Sequence, residues 1–141
     1  MSEHAVSKTV SRGRLRDKVL LAVQIVVGLD FIIGGMLKLF GAQSMLDLFT
    51  RIGAGQWLRY LVGFAELAGG IGVLIPALAG LAALGLATLL VLATLTNVLV
   101  IDDPPWVPLI WLVIVGIVAW HRWPRTKALF TGTRSTRRTS T

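Results

Sequence analysis

Tyr60-Leu-Val-Gly-Phe-Ala-Glu-Leu-Ala-Gly-Gly-Ile-Gly-Val-Leu-Ile-Pro76 is an apolar, glycine-rich run with one carboxylate, Glu66, in its middle. Read as a helix crossing a bilayer, it carries a charge that costs roughly 2.5–3.5 kcal/mol to insert. Other groups must offset that cost. The flanks favour the bilayer reading. The run is preceded by Trp57 and Arg59 and opens on Tyr60, two aromatics suited to a membrane–water interface and an arginine able to snorkel to head groups. It closes on Pro76, which has no N–H to give a helix ladder. From Trp57 to Ile101 the chain is more than twice as long as one crossing, which takes roughly 20 residues. It must therefore turn between Gly72 and Gly80, and Pro76 is the natural place.

Composition agrees. Charged residues make up 15% of the 141, against about 25% in an ordinary soluble domain. The mean hydropathy is +0.75, and the charges cluster at the two ends. The formal charge of +7 is not interleaved with aromatics on a folded face. It reads as a set of topology signals and lipid contacts, not a nucleic-acid surface. There is no cysteine, which excludes disulfides, thiol chemistry and cysteine-ligated metal or iron–sulfur centres within this chain.

The expected fold is all-α: a four-helix transmembrane bundle with spans at about residues 19–40, 56–75, 78–101 and 107–123. Residues 1–18 form a basic tail and do not read as the start of a secretory leader, because the apolar run that follows is too long and no small-x-small cleavage site closes it. Residues 124–141 form a second basic tail, disordered by composition. In the first loop Met45, Leu46, Leu48, Phe49 and Ile52 recur at helical spacing, with Asp47 and Arg51 placed to pair at i, i+4. A short helix lying on the outer surface is expected there. Asp102-Asp103-Pro104-Pro105 is a tight acidic turn, and Trp106, Trp111, Trp120 and Trp123 bracket the fourth span. Four spans put both termini on one side, and their basic charge makes that side the cytoplasm of a cell inner (plasma) membrane.

Val27-Gly28…Gly34-Gly35…Leu39…Ala42 matches Val62-Gly63…Gly69-Gly70…Leu74…Ala77 at a constant offset of 35. Two such segments crossing in opposite directions would be an inverted repeat; chance matching of glycine-rich helices is the other explanation. Small residues at four-residue spacing, including Ala65/Gly69 and Ala68/Gly72, let helices approach closely.

Inside the bilayer, Asp30, Gly34 and Lys38 share one face of the first helix. Counted from the outer loop, Asp30 and Glu66 both lie roughly 12–14 Å deep at 1.5 Å per residue. Two carboxylates at one depth are expected to be paired or to hold a proton between them. Lys38 is placed to reach Glu66, Gln24 to hydrogen-bond Asp30, and Asn97 to contribute from the third span. Glu66, Lys38, Asp30, Asn97 and Gln24 thus form the candidate polar intramembrane site, either a proton-carrying or ligand-holding site or a clamp that fixes helix register. His121 reads as an interfacial residue. The chain shows no catalytic constellation and no metal-ligand spacing.

Gly28-x-x-Phe31-x-x-Gly34-Gly35-x-x-Lys38-Leu39-Phe40 and Gly63-x-x-Glu66-Leu67-x-Gly69-Gly70-x-Gly72-x-Leu74-x-Pro76 resemble the DoxX family, over about Leu20 to Trp123. The resemblance implies a four-helix protein of the bacterial inner membrane, related to a small subunit of a quinone-linked oxidoreductase and to proteins of thiosulfate–quinone and oxidative-stress complexes. It implies that Lys38 and Glu66 are the family's polar positions. Members often carry a basic residue after the proline of the second loop; Ala77 stands there in this chain.

The expected function is a non-catalytic membrane subunit of a quinone-linked or oxidative-stress redox complex, with no covalent cofactor and quinone as the candidate ligand. The alternatives are a small proton-coupled carrier and a scaffold that recruits partners through its basic tails. Membrane lipids, a redox enzyme subunit and a second copy of the chain are the candidate partners.

Overall fold

Runs of leucine, valine, alanine and isoleucine unbroken by internal turn residues make long helices, and the computed structural model, which describes residues 2–132, is built from them. The order is α1 (Ser2–Leu39), α2 (Gln43–Ile52), α3 (Gln56–Leu74), α4 (Ala79–Thr96), a π-helical turn (Asn97–Ile101) and α5 (Trp106–Phe130). There is no strand among the described residues. Four of these segments are long and apolar enough to cross a membrane: Val10–Leu39, Gln56–Leu74, Ala79–Ile101 and Trp106–Phe130.

The helices pack as two pairs, α1 on α3 and α4 on α5, with α3 and α4 joining the pairs. Glycine sets the α1–α3 distance. A Cβ on Gly35 would lie 2.7 Å from the Gly63 carbonyl oxygen, and one on Gly70 would lie 2.8 Å from that of Gly28. The helices therefore touch backbone to backbone at two places. Gly28 meets Gly70 and Gly35 meets Gly63, so four of the repeat's six glycines lie in this antiparallel seam, while Gly34 faces Glu66 and Gly69 packs against Leu86 of α4.

The core joins Val27 and Phe31 of α1, Val73 of α3, Ala83, Leu86 and Leu90 of α4, and Val115 and Val118 of α5. Phe31 meets Trp111 edge to face, with centroids 5.8 Å apart. Around this thin core Leu61, Phe64, Leu92, Ile110 and Val113 are all more than half exposed. Such a surface suits lipid, where the exposed face of a helix needs no polarity.

Several boundaries differ from the sequence reading. α1 runs on through the basic segment to Ser2. α5 does not stop near Trp123 but continues through Pro124 to Phe130. A proline removes one helical hydrogen bond, and here Thr126 holds the extension. Its hydroxyl donates to the Ala77 carbonyl at 3.3 Å, and its side chain seats against Gly80. The expected disorder of the last segment concerns residues 133–141, which lie outside the described residues. α4 widens into the π turn before the acidic loop, and the Asn97 carbonyl accepts the N–H groups of both Asp102 and Asp103. Asp102 takes a left-handed conformation, φ 51°.

α2 stands where the amphipathic spacing places it and ends at Gly53, φ 77°, whose N–H returns to the Phe49 carbonyl. Its Phe49 is buried, and Arg51 does not pair with Asp47. Arg51 instead grips Asp103 with two hydrogen bonds, 3.1 and 3.2 Å, and donates to the Ile101 carbonyl. Asp47 accepts from Gln43. The guanidinium fork takes both oxygens of the Asp103 carboxylate.

Candidate functional site

Lys38 stands one residue before the end of α1, and Glu66 in the middle of α3. Antiparallel packing brings them side by side. Lys38 Nζ donates to Glu66 Oε2 at 2.8 Å, with side chains 14% and 15% exposed. Gly34, one turn below Lys38, makes room: a Cβ there would lie 3.4 Å from Glu66 Oε2. A charge of each sign at one depth offsets much of the insertion cost of either alone.

Arg59 holds the backbone beneath Lys38. It is only 3% exposed, which corrects the reading of a side chain snorkelling to head groups. It donates to the Lys38 carbonyl, one of the carbonyls left open at the end of α1. Its Nε donates to Gln56 Oε1 at 2.8 Å, and its guanidinium lies 4.2 Å over the Tyr60 ring. Gln56 in turn donates to the Leu46 carbonyl and the Thr50 hydroxyl of α2. The tight turn at Gly41 put these carbonyls within reach, and burial decided the rest.

The ion pair lies in the wall of a cavity of about 420 Å³ between the two helix pairs, with α2 closing one end. Asp30, Lys38, Glu66 and Asn97 supply its polar groups, and Phe31, Phe49 and Trp111 its aromatic ones. Thr96 also lines it, but its hydroxyl is spent on the Leu92 carbonyl of its own helix. The Asn97 amide reaches the Pro104 carbonyl at 3.4 Å, bracing the π turn. Asp30 is exposed and has no hydrogen-bond partner among the described residues.

Gln24 is elsewhere, and this corrects its expected bond to Asp30. The two are six residues apart, so they face different sides of α1. Gln24 is 1% exposed and sits in a second polar cluster, toward the end of the bundle where both basic segments lie. Its amide donates to the Val73 carbonyl at 2.9 Å, and its oxygen accepts from Arg122 Nε at 2.6 Å. Three helices, α1, α3 and α5, are tied by that chain. Arg122 is not among the expected site residues, although the apolar spacing Val115, Val118, Arg122 puts it on the buried face of α5.

The cavity can thus offer one cationic donor, two carboxylates and flat aromatic walls. Its volume falls in the range of small-ligand sites, about 300–1,000 Å³.

Residues 22–119 match the DoxX-like family. No curated protein and no solved structure matches the chain. The match covers well over half of the sequence and includes every residue of the cavity, so the chain belongs to the DoxX-like family. Together with its four apolar helices, this makes it a multi-pass integral membrane protein.

Proposed function

We propose that this DoxX-like protein is a non-catalytic membrane subunit that holds a quinone head group in the Lys38–Glu66 cavity for a redox partner. The observation that carries the reading is a charged pair set in a cavity otherwise walled by apolar and aromatic side chains. The donor set fits a quinone: a carbonyl oxygen is an acceptor, and Lys38 Nζ has donors beyond the one it gives Glu66. Phe31 and Trp111 would flank the ring, and Glu66 would hold or pass the proton that accompanies reduction. A bound quinone would supply the redox chemistry. The absence of cysteine agrees with a redox centre on a partner.

On this reading the basic segments lie in the cytoplasm of a cell inner membrane, and the cavity lies in the outer half of the bilayer. The test is a gentle-detergent pull-down from native membranes, with mass spectrometry for co-purifying proteins and quinone. An oxidoreductase subunit or quinone retained by the wild type and lost in Glu66→Gln is the expected result. A solitary bundle, identical in both, refutes the reading.

The position of the cavity between the α1–α3 and α4–α5 pairs favours a second reading, a small proton-coupled carrier whose pairs rock about the site. Proteoliposome flux that falls with Glu66→Gln would support it, and flux unchanged by that substitution would remove it.

A further inference from the structure

α1 and α5 touch little along their length, and toward the basic end a cleft of about 750 Å³ opens between them. Its walls change character along the bundle axis. Leu20, Val23, Ile114 and Ile117 line the part within the apolar spans, and Arg16, Arg122 and Arg125 line the part where those spans end. One carboxylate, Asp17, faces the three guanidinium groups. Positive charge is therefore left over beside a strip of hydrocarbon.

Arg122 is fixed for a ligand. It is only 5% exposed, and its Nε is committed to Gln24 at 2.6 Å. Gln24 is itself anchored on the Val73 carbonyl. Neither terminal nitrogen of the guanidinium has a hydrogen-bond partner among the described residues. A planar fork with its orientation set and its two outer nitrogens free suits two oxygens of one tetrahedral anion. Among the described residues Arg16 has one hydrogen-bond contact, 3.5 Å to His121 Nε2, so it is free to turn to an anion. Trp120, 82% exposed on the neighbouring face of α5, is an anchor suited to the level of lipid head groups.

We infer that this cleft binds an anionic phospholipid, its phosphate held by Arg122, Arg16 and Arg125 and an acyl chain lying against Leu20, Val23, Ile114 and Ile117. A soluble phosphate would satisfy the arginines and leave the apolar half of the cleft without an occupant. A zwitterionic lipid would fill the groove but bring a choline cation to a site with charge of the same sign. The cleft is distinct from the Lys38–Glu66 cavity, near the opposite end of the bundle, and does not depend on what that cavity holds.

The experiment is native mass spectrometry of the full chain in detergent, titrated with phosphatidylglycerol and, separately, with phosphatidylcholine. Wild type should retain one phosphatidylglycerol in clear preference to phosphatidylcholine. Arg16→Gln/Arg125→Gln, which leaves the Gln24–Arg122 bond untouched, should bind phosphatidylglycerol about thirtyfold more weakly with an unchanged melting temperature. Equal retention of the two lipids by wild type overturns the proposal. So does undiminished phosphatidylglycerol binding by the double variant, or its displacement from wild type by millimolar inorganic phosphate, which would mark a soluble-anion site. If the double variant does not fold, wild type in rising salt decides. The preference should fall steeply as arginine–phosphate attraction is screened, and a preference that persists in 1 M salt contradicts the site.

Discussion

Two polar clusters inside the bundle, among the described residues, are built on opposite terms. At one end Gln24, Arg122 and the Val73 carbonyl form a closed chain, with side chains 1% and 5% exposed and every bond short. At the other, Lys38 and Glu66 are bonded at 2.8 Å but stand in a cavity wall with a further carboxylate, Asp30, beside them. The first cluster couples three helices and leaves only the outer nitrogens of Arg122 for anything else. The second couples two helices and leaves donors, acceptors and space. Polarity inside a membrane protein is expensive in both places; the first arrangement uses it mainly to tie helices together, and the second sets it in the wall of an opening between the helix pairs. The glycine seam makes the contrast sharper: it sets the α1–α3 distance by backbone contact, so the Lys38–Glu66 pair is not needed to hold these helices together.

Breaking the closed cluster should do the most damage to folding. Gln24→Leu removes the acceptor of a buried guanidinium and leaves the Val73 carbonyl without its donor. A loss of about 2–3 kcal/mol is expected for a buried bond to a charged group, measured as a lower midpoint in detergent-denaturant unfolding. A midpoint equal to wild type would show that Arg122 is satisfied by something other than Gln24.

Gly35→Ala is next. Its Cβ would meet the Gly63 carbonyl at 2.7 Å, so α1 and α3 must part. Such overpacking costs about 1–3 kcal/mol. The parting should also lengthen the Lys38–Glu66 contact three residues away, and ligand binding should fall with stability. Gly85→Ala, on an open face with nothing within 4 Å, should do neither.

Glu66→Gln separates the two clusters most cleanly. It keeps shape and one hydrogen bond to Lys38, whose ammonium, near the end of α1, can turn toward the head groups once its counter-charge is gone. Thermal stability should therefore change little while binding at the cavity drops at least tenfold. A stability loss as large as that of Gln24→Leu, with no effect on binding, would make the pair a register clamp.

The smallest effect is expected at Arg51→Gln. The Arg51–Asp103 pair is exposed, and exposed pairs contribute little. The hydrogen bond and then the charge of Asp103 raise the Arg51 guanidinium further above its already high ordinary value. A raised cation contributes below its unfolded value and is lost only as pH climbs past the folded one. The pair should therefore be indifferent to pH between about 7 and 10. Any shift in melting temperature should vanish in high salt; one that survives would mean that α2 depends on this contact to close the cavity.

How much of this was legible in the chain follows from the kind of interaction involved. The four spans, the acidic turn and the amphipathic α2 rest on hydropathy and on turn residues, which are local properties, and the structure has helices at each expected place. Lys38 facing Glu66 was legible because counting residues from a shared loop gives depth. Partner choice was not legible for Gln24, Arg59 or Arg51. Gln24 and Arg51 each have a plausible partner nearby along the chain and take another from a distant helix or loop, and Arg59, expected to turn to head groups, instead bonds Gln56 and the end of α1. For Gln24 the deciding fact is azimuth, since Asp30 lies on another side of α1. For Arg59 it is the pair of glycine-bounded helices meeting so closely that the end of α1 comes within its reach. The extension of α5 past Pro124 was hidden because proline marks a helix end only when nothing else holds the next turn, and Thr126 against Gly80 does.

The most direct test of the central claim is equilibrium binding of a water-soluble short-chain benzoquinone to the purified full chain, read from quenching of Trp111 in a variant whose other four tryptophans are replaced by phenylalanine. Saturable quenching that weakens at least tenfold with Lys38→Met and with Glu66→Gln, but not with Arg16→Gln at the far end, is the predicted result. No saturable quenching, or the same affinity in all four proteins, would contradict a quinone site at the Lys38–Glu66 pair.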